Sequence, residues 1–138
     1  LIDFRLPLFD AETVPMAANK SYDSAEVTRW SEAIDACEAF IFDTPEYNHS
    51  VPGAFKNAYD SLGAEWAGKP VAFVGYGSVG GVRAVEAWRN VVANFSMPQL
   101  RNQLDFNIFT DWNDGEFRPS DDSYERANSL LAELEDAL

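Results

Sequence analysis

The sequence predicts an α/β fold in which a parallel sheet is wrapped by helices on both faces, a three-layer sandwich. Three observations predict it. Short apolar runs rich in β-branched and aromatic residues read as buried strands at roughly 39–44, 71–76 and 104–109. Segments of helical period alternate with them over short connections, the pattern that forces parallel strands with crossover helices. Two of the strands give way to helices through conspicuous turn sequences, placed where open α/β sheets bind ligands. At 138 residues, 46% of them hydrophobic, the chain has the size and composition of one domain with one substantial core, residues 1–138.

The elements follow in order. Val27, Trp30, Ile34 and Cys37 form one apolar stripe, begun by Asp23 with Glu26 three residues on, a capping box. The run Ala39-Phe40-Ile41-Phe42 leads into Thr44-Pro45-Glu46-Tyr47-Asn48-His49-Ser50-Val51-Pro52-Gly53. Phe55, Ala58, Tyr59 and Leu62 form the next stripe, with Pro52 near its first turn, where a missing N–H costs nothing. Val71-Ala72-Phe73-Val74 runs into Gly75-Tyr76-Gly77-Ser78-Val79-Gly80-Gly81, and a stripe of Val85, Trp88, Val92 and Phe95 ends before Pro98. Trp112-Asn113-Asp114-Gly115 reads as a surface turn, and Tyr124, Ala127, Leu131, Leu134 and Leu138 line the last helix. The chain contains no repeat, low-complexity tract or linker. It opens on Leu1-Ile2-Asp3-Phe4, which reads as the tail of a strand, so an N-terminal segment is expected ahead of it in the natural polypeptide.

Charge and cysteine usage narrow the function class. The 23 acidic against 10 basic residues give a net charge of −13, which repels phosphate backbones and argues against nucleic acid or anionic membrane as partners. The acidic excess reads as a solvated face, with salt adaptation the alternative. No apolar stretch reaches membrane-span length and no secretory signal pattern opens the chain. The single cysteine, Cys37, can form no internal disulfide and sits on an apolar helical stripe, so it reads as packing in a reducing cytoplasm.

Thr44-Pro45-Glu46-Tyr47-Asn48-His49-Ser50-Val51-Pro52-Gly53-Ala54-Phe55-Lys56-Asn57-Ala58 closely resembles the signature of the NADPH-dependent FMN reductase family, the flavodoxin-like group that includes quinone, azo-dye and chromate reductases. Gly75 to Ala84 resembles that family's second flavin loop, and the likeness runs through nearly the whole chain. The resemblance implies bound FMN, NADPH or NADH as electron donor, and a small-molecule acceptor such as a quinone or azo compound. Turnover would be ping-pong in a homodimer or homotetramer with the flavin near the interface. It implies that the backbone from Glu46 to Asn48 contacts the pyrimidine edge of the ring. Pro45 would fix the turn, Tyr47 would wall the ring, and His49 and Ser50 would border the substrate's entrance. Gly77, Ser78, Val79, Gly80 and Gly81 would form the second loop, its glycines letting backbone pass close to the ring.

No catalytic acid or base is assigned, because hydride transfer to flavin requires none and the cofactor carries the chemistry. His49, the only histidine, can assist proton delivery to a reduced quinone or simply be exposed. Three further readings are weighed. Gly75-x-Gly77-x-x-Gly80 formally satisfies a dinucleotide fingerprint, though Asp105 stands some thirty residues on, at a strand start. Glu46, a poor ligand for an anionic cofactor, reads as a structural salt bridge or subunit contact. Arg83 reaches a cofactor phosphate or pairs with Glu86, its i+3 neighbour, and the pair is favoured. The chain departs from the family at its front, where the N-terminal strand and a Gly-Ser-x-Arg-like phosphate loop are missing. In the strand order 2-1-3-4-5 that strand would be central. Truncation of the sequence is the expected reason, and true loss the alternative. The competing functions are a flavodoxin-like electron carrier or FMN-binding module without NAD(P)H turnover, and a non-catalytic scaffold that has lost its phosphate loop.

Overall fold

In the computed structural model, which describes residues 2–138, a three-stranded parallel sheet carries the fold in the order β1–β2–β3, with β1 at Phe40–Pro45, β2 at Val71–Gly77 and β3 at Gln99–Asn107. Four helices of two turns or more accompany it: α2 (Ala25–Asp35), α3 (Gly53–Asp60), α4 (Val82–Val92) and α5 (Asp121–Asp136). A one-turn helix, α1 (Pro15–Ala18), lies in the irregular stretch before α2, and a short hairpin, β4 (Trp112–Asn113) with β5 (Glu116–Phe117), precedes α5.

The alternation along each strand divides the core. Phe40 and Phe42 of β1 and Val71 and Phe73 of β2 face one side, where Ile34 of α2, Tyr59 of α3 and Val85, Trp88 and Val92 of α4 close over them. This side is aromatic: Trp66 stacks on Tyr59 at 4.8 Å between centroids, and Trp88 meets Phe42 edge-on at 5.3 Å. The opposite face is smaller and aliphatic, with Ala72, Leu100 and Leu104 beneath Leu130 and Leu134 of α5. Helices therefore cover both faces, as the alternation of strand and helix predicts. On the α5 side the cover stops short of β1, whose Ile41 remains 44% exposed, and β1 is an edge strand.

Several boundaries differ from the sequence expectation, each for a physical reason. The cap of α2 is Ser24, not Asp23: its hydroxyl accepts from Val27 N and donates to the Glu26 carboxylate. At the other end of α2, the Lys69 ammonium donates to the carbonyls of Ile34 and Asp35, a cation at a helix C-terminus. Strand β3 begins at Gln99 and ends at Asn107 instead of spanning 104–109. Its polar first half pairs irregularly with β2, the register slipping between Val71 and Phe73, and the Arg89 guanidinium fills the slip by donating to Leu100 O, Arg101 O and Gln103 Oε1. Phe95 lies in a 3-10 turn beyond α4. In α5 the buried face is Ser123, Leu130 and Leu134, with Ala127 packed beside them, while Tyr124, Leu131 and Leu138 face solvent.

Candidate functional site

The two turns singled out in the sequence lie side by side at the carboxyl ends of β1 and β2. The strands pair up to Pro45↔Tyr76, and Glu46 N then donates to Tyr76 O, the last rung of the ladder. Beyond it the first loop doubles back at once. Tyr47 and Ser50 exchange both backbone hydrogen bonds across Asn48 (φ 50°) and His49 (φ 65°), a tight turn with both central residues left-handed. Asn48 suits that conformation because its short amide tolerates it. Tyr47, Asn48, His49 and Ser50 are all exposed, while Thr44 beneath them is fully buried and accepts from Trp88 Nε1 at 3.2 Å. The loop is thus an exposed tight turn on a buried footing.

The second loop closes through Gly80 N donating to Gly77 O, and Gly80 and Gly81 have φ of 74° and 70°. A Cβ on Gly81 would lie 2.5 Å from Tyr76 N, so glycine is required there by the fold of the loop on its own strand. Gly77 differs. A Cβ there would meet Glu46 Cβ at 3.4 Å and Gly81 N at 3.5 Å, ordinary van der Waals contacts with both loops. Of the glycines assigned to ring approach, Gly77 alone has no internal reason to be glycine.

Glu46 and Arg83 span the loops. Glu46 Oε1 accepts from Arg83 Nη1 at 2.8 Å, and Glu46 Oε2 accepts from Arg83 N at 3.1 Å. The reading of Glu46 as a structural salt bridge holds, and the favoured Arg83–Glu86 pair does not form; Glu86 lies instead 3.9 Å from Arg89. Burial pushes the Glu46 carboxyl up, but the hydrogen bonds from the Arg83 side chain and backbone outweigh it and hold it below the ordinary range. The same contact disposes of the dinucleotide reading. The N-terminus of α4, where a pyrophosphate would sit, already holds the Glu46 carboxylate, and Asp105 packs against Gly80.

A third segment, absent from the sequence expectation, borders the second loop. Asn107 Nδ2 donates to Ser78 O at 2.9 Å and Ile108 N donates to Gly77 O at 3.1 Å, tying the end of β3 to the second loop. Asn107 Oδ1 accepts from Phe109 N, and Asn107 N donates to Asp111 Oδ2, so the chain turns sharply there. An asparagine inside the run read as a strand at 104–109 is the one local signal for this turn. Ile108 and Phe109 are left exposed, and Trp112 and Phe117 of the hairpin pack with Tyr76 and Phe106. The hairpin turns through Asp114 (φ 50°) and Gly115 (φ 80°), as the surface turn expected at 112–115.

The residues suit the edge of a flavin ring. Glu46 N and Tyr47 N are engaged, by Tyr76 O and Ser50 O, so of the three amides expected at the pyrimidine edge Asn48 N alone is open. With it, the N–H groups of His49, Ser78 and Val79 donate to no group among the described residues. Four amides without partners at two adjoining turns could donate to the carbonyl and imide groups on the edge of a planar ligand.

Comparison with known proteins agrees. Residues 1–111 match the model of the NADPH-dependent FMN reductase family. The chain is 44% identical over 86 residues to an NAD(P)H-dependent FMN reductase of a Nectria species, covering 61% of this chain and 43% of that protein. It is 36% identical over 104 residues to a quinone reductase of Pseudomonas putida, covering 70% and 53%. It thus spans about half the length of the relatives it matches. Among solved structures, the flavoenzyme NAD(P)H:acceptor oxidoreductase of Paracoccus denitrificans superposes with a TM-score of 0.66 at 23% identity, covering 96% of this chain and 73% of that one, a likeness of fold. By its turns, its sheet and these matches, the chain belongs to the NADPH-dependent FMN reductase family.

Proposed function

We propose that this domain, residues 1–138, is the flavin-holding part of an NAD(P)H-dependent FMN oxidoreductase that passes electron pairs to quinones, azo compounds or similar flat acceptors. The observation that carries the reading is the pair of turns at the ends of β1 and β2, with unpartnered amides at Asn48, His49, Ser78 and Val79. Bound FMN would accept hydride from the nicotinamide and release two electrons to the acceptor, in two half-reactions at one face. The chain's own residues hold and screen. Pro45 and the buried Thr44 fix the first loop, Asn48 and the Ser78–Val79 turn present donors, and Gly77 lets the two loops lie close together. Tyr47, Val79, Ile108 and Phe109, all exposed, offer apolar surface to a flat acceptor. His49 and Ser50 border the same opening, and Gly80 and Gly81 shape the second loop.

The phosphate of the cofactor needs a grip, and the guanidinium between these loops, Arg83, is taken by Glu46. The open edge of β1, with Ile41 bare beside it, is where a further strand and its loop would sit. Assembly as a homodimer or homotetramer is supported by exposed Leu8, Val14 and Met16 in the segment before α2. No helix among the described residues is long and apolar enough to cross a membrane, and a cytoplasmic site of action fits the unpaired Cys37.

Quenching of FMN fluorescence on titration with the protein, together with oxidation of NADH or NADPH coupled to a quinone, tests the proposal. Double-reciprocal plots at several acceptor concentrations should run parallel. Absence of flavin uptake by the full-length polypeptide, phosphate grip included, would end the reading, and uptake without pyridine-nucleotide oxidation would leave an electron carrier in its place.

A further inference from the structure

We propose that Glu46 is a positioning residue, a latch whose carboxylate sets the spacing of the two flavin loops by gripping both the side chain and the backbone of Arg83. The inference rests on the flavin reading above. The β1–β2 ladder ends at Glu46 N, and past that point the two loops are free to splay. Glu46 bridges them from the first loop to the start of α4, 37 positions along the chain. Its side chain is 7% exposed, against 44% for Arg83, so the carboxylate lies inside the junction and the guanidinium closes over it.

Each oxygen has its own donor. Oε1 takes the guanidinium, and Oε2 takes the N–H of Arg83, the second residue of α4. That N–H has no partner within the helix, and the residue preceding the helix, Gly81, supplies no capping side chain. Glu46 therefore caps a helix belonging to the other loop, where the helix dipole favours a negative charge. Its Cβ also lies against Gly77, at the end of β2. On its far flank the second loop is fixed by Asn107 and Ile108. Freeing the near flank should let the Gly77–Gly81 turn swing and misplace the amides of Ser78 and Val79.

The test uses the full chain and the variants Glu46→Ala, Glu46→Gln, Arg83→Met and the double variant Glu46→Gln/Arg83→Met, read in two ways. Hydrogen exchange at Arg83 N reports the latch without any flavin, because an amide at that helical position owes its protection to Glu46 alone. Exchange should be about tenfold faster in Glu46→Ala, and largely restored in Glu46→Gln, whose amide oxygen still accepts. FMN fluorescence titration reports the consequence: Glu46→Ala should weaken binding about tenfold and Glu46→Gln and Arg83→Met each about threefold, with the double variant no worse than either single one. Unchanged exchange at Arg83 in Glu46→Ala overturns the latch whether or not flavin binds. Faster exchange with FMN affinity unaltered overturns its role at the site. If the unmodified full-length polypeptide takes up no FMN, the flavin reading fails, and exchange still decides whether the latch exists.

Discussion

Substituting Gly77 and Gly81 by alanine separates the two reasons for which a glycine stands in a ligand loop. At Gly81 the new methyl would sit 2.5 Å from Tyr76 N and 2.9 Å from the carbonyl carbon of Gly75, with φ at 70°. The left-handed backbone alone costs about 1–2 kcal/mol for a residue with a Cβ, and forcing a methyl into closed packing adds about 1–3 kcal/mol. Gly81→Ala should therefore lose roughly 2–5 kcal/mol, a large part of what a domain of this size possesses. At Gly77 the backbone is not left-handed and the nearest atom, Glu46 Cβ, is 3.4 Å away. Gly77→Ala should change stability by less than about 1 kcal/mol, in either direction, since the stiffer unfolded chain offsets mild crowding. Its methyl stands between the two loops, against Glu46 and Gly81, and FMN should bind about tenfold more weakly, a loss of about 1.4 kcal/mol. Urea denaturation followed by tryptophan fluorescence measures the first effect and flavin fluorescence the second. Gly77→Ala binding FMN as tightly as the unmodified chain would refute the placement of the ring against this loop. Gly81→Ala unfolding at the same urea concentration would refute the packing argument.

Two further substitutions probe the footing of the site. Thr44→Val keeps the shape of a fully buried side chain but leaves Trp88 Nε1, also buried, without its acceptor, and should cost about 1–3 kcal/mol in urea denaturation. Glu65 is fully buried and accepts from Tyr22 Oη, Ser31 Oγ and Gly63 N, tying the segment before α2, α2 itself and the α3–β2 connection together. Burial pushes its carboxyl up, but these donors and its own backbone N–H outweigh it and hold it below the ordinary range. A group so lowered stabilises the fold fully above its unfolded value of about 4.3, and the contribution is lost as pH falls through the folded value. Glu65→Ala should cost about 3–5 kcal/mol at neutral pH by orphaning three donors. Glu65→Gln should lose less and flatten the acid limb of stability against pH; an unchanged acid limb would refute the role given to the carboxylate.

What the sequence made legible follows from the range over which each interaction acts. Strands β1 and β2 are continuous apolar runs, and a local pattern is enough to place them. The first half of β3 is Gln99-Leu100-Arg101-Asn102-Gln103, polar enough to hide a strand whose pairing slips and is mended by Arg89 from α4. Nothing local marks that repair. In α5 the apolar positions permit two stripes, through Leu130 or through Leu131, and only the width of the sheet beneath decides that Leu130 is the one buried.

The site divides along the same line. Both loops are visible because turns are local: Asn48, His49, Gly80 and Gly81 take the left-handed conformations that short-range steric rules assign to such sequences. What joins the loops is not local. For Arg83 the neighbour rule selects Glu86, on the next turn of its own helix, where an exposed pair gains at most a few tenths of a kcal/mol. The structure instead offers a carboxylate already desolvated against the helix N-terminus, where the same guanidinium satisfies a charge that would be costly to leave unpaired. That choice depends on β1 pairing with β2 so that Pro45 lies opposite Tyr76, which carries Glu46 to within reach of α4. A shift of that register by one residue would turn Glu46 to the other face and leave Arg83 to its neighbour. The loops are written in the chain; the distance between them is written in the register of the sheet.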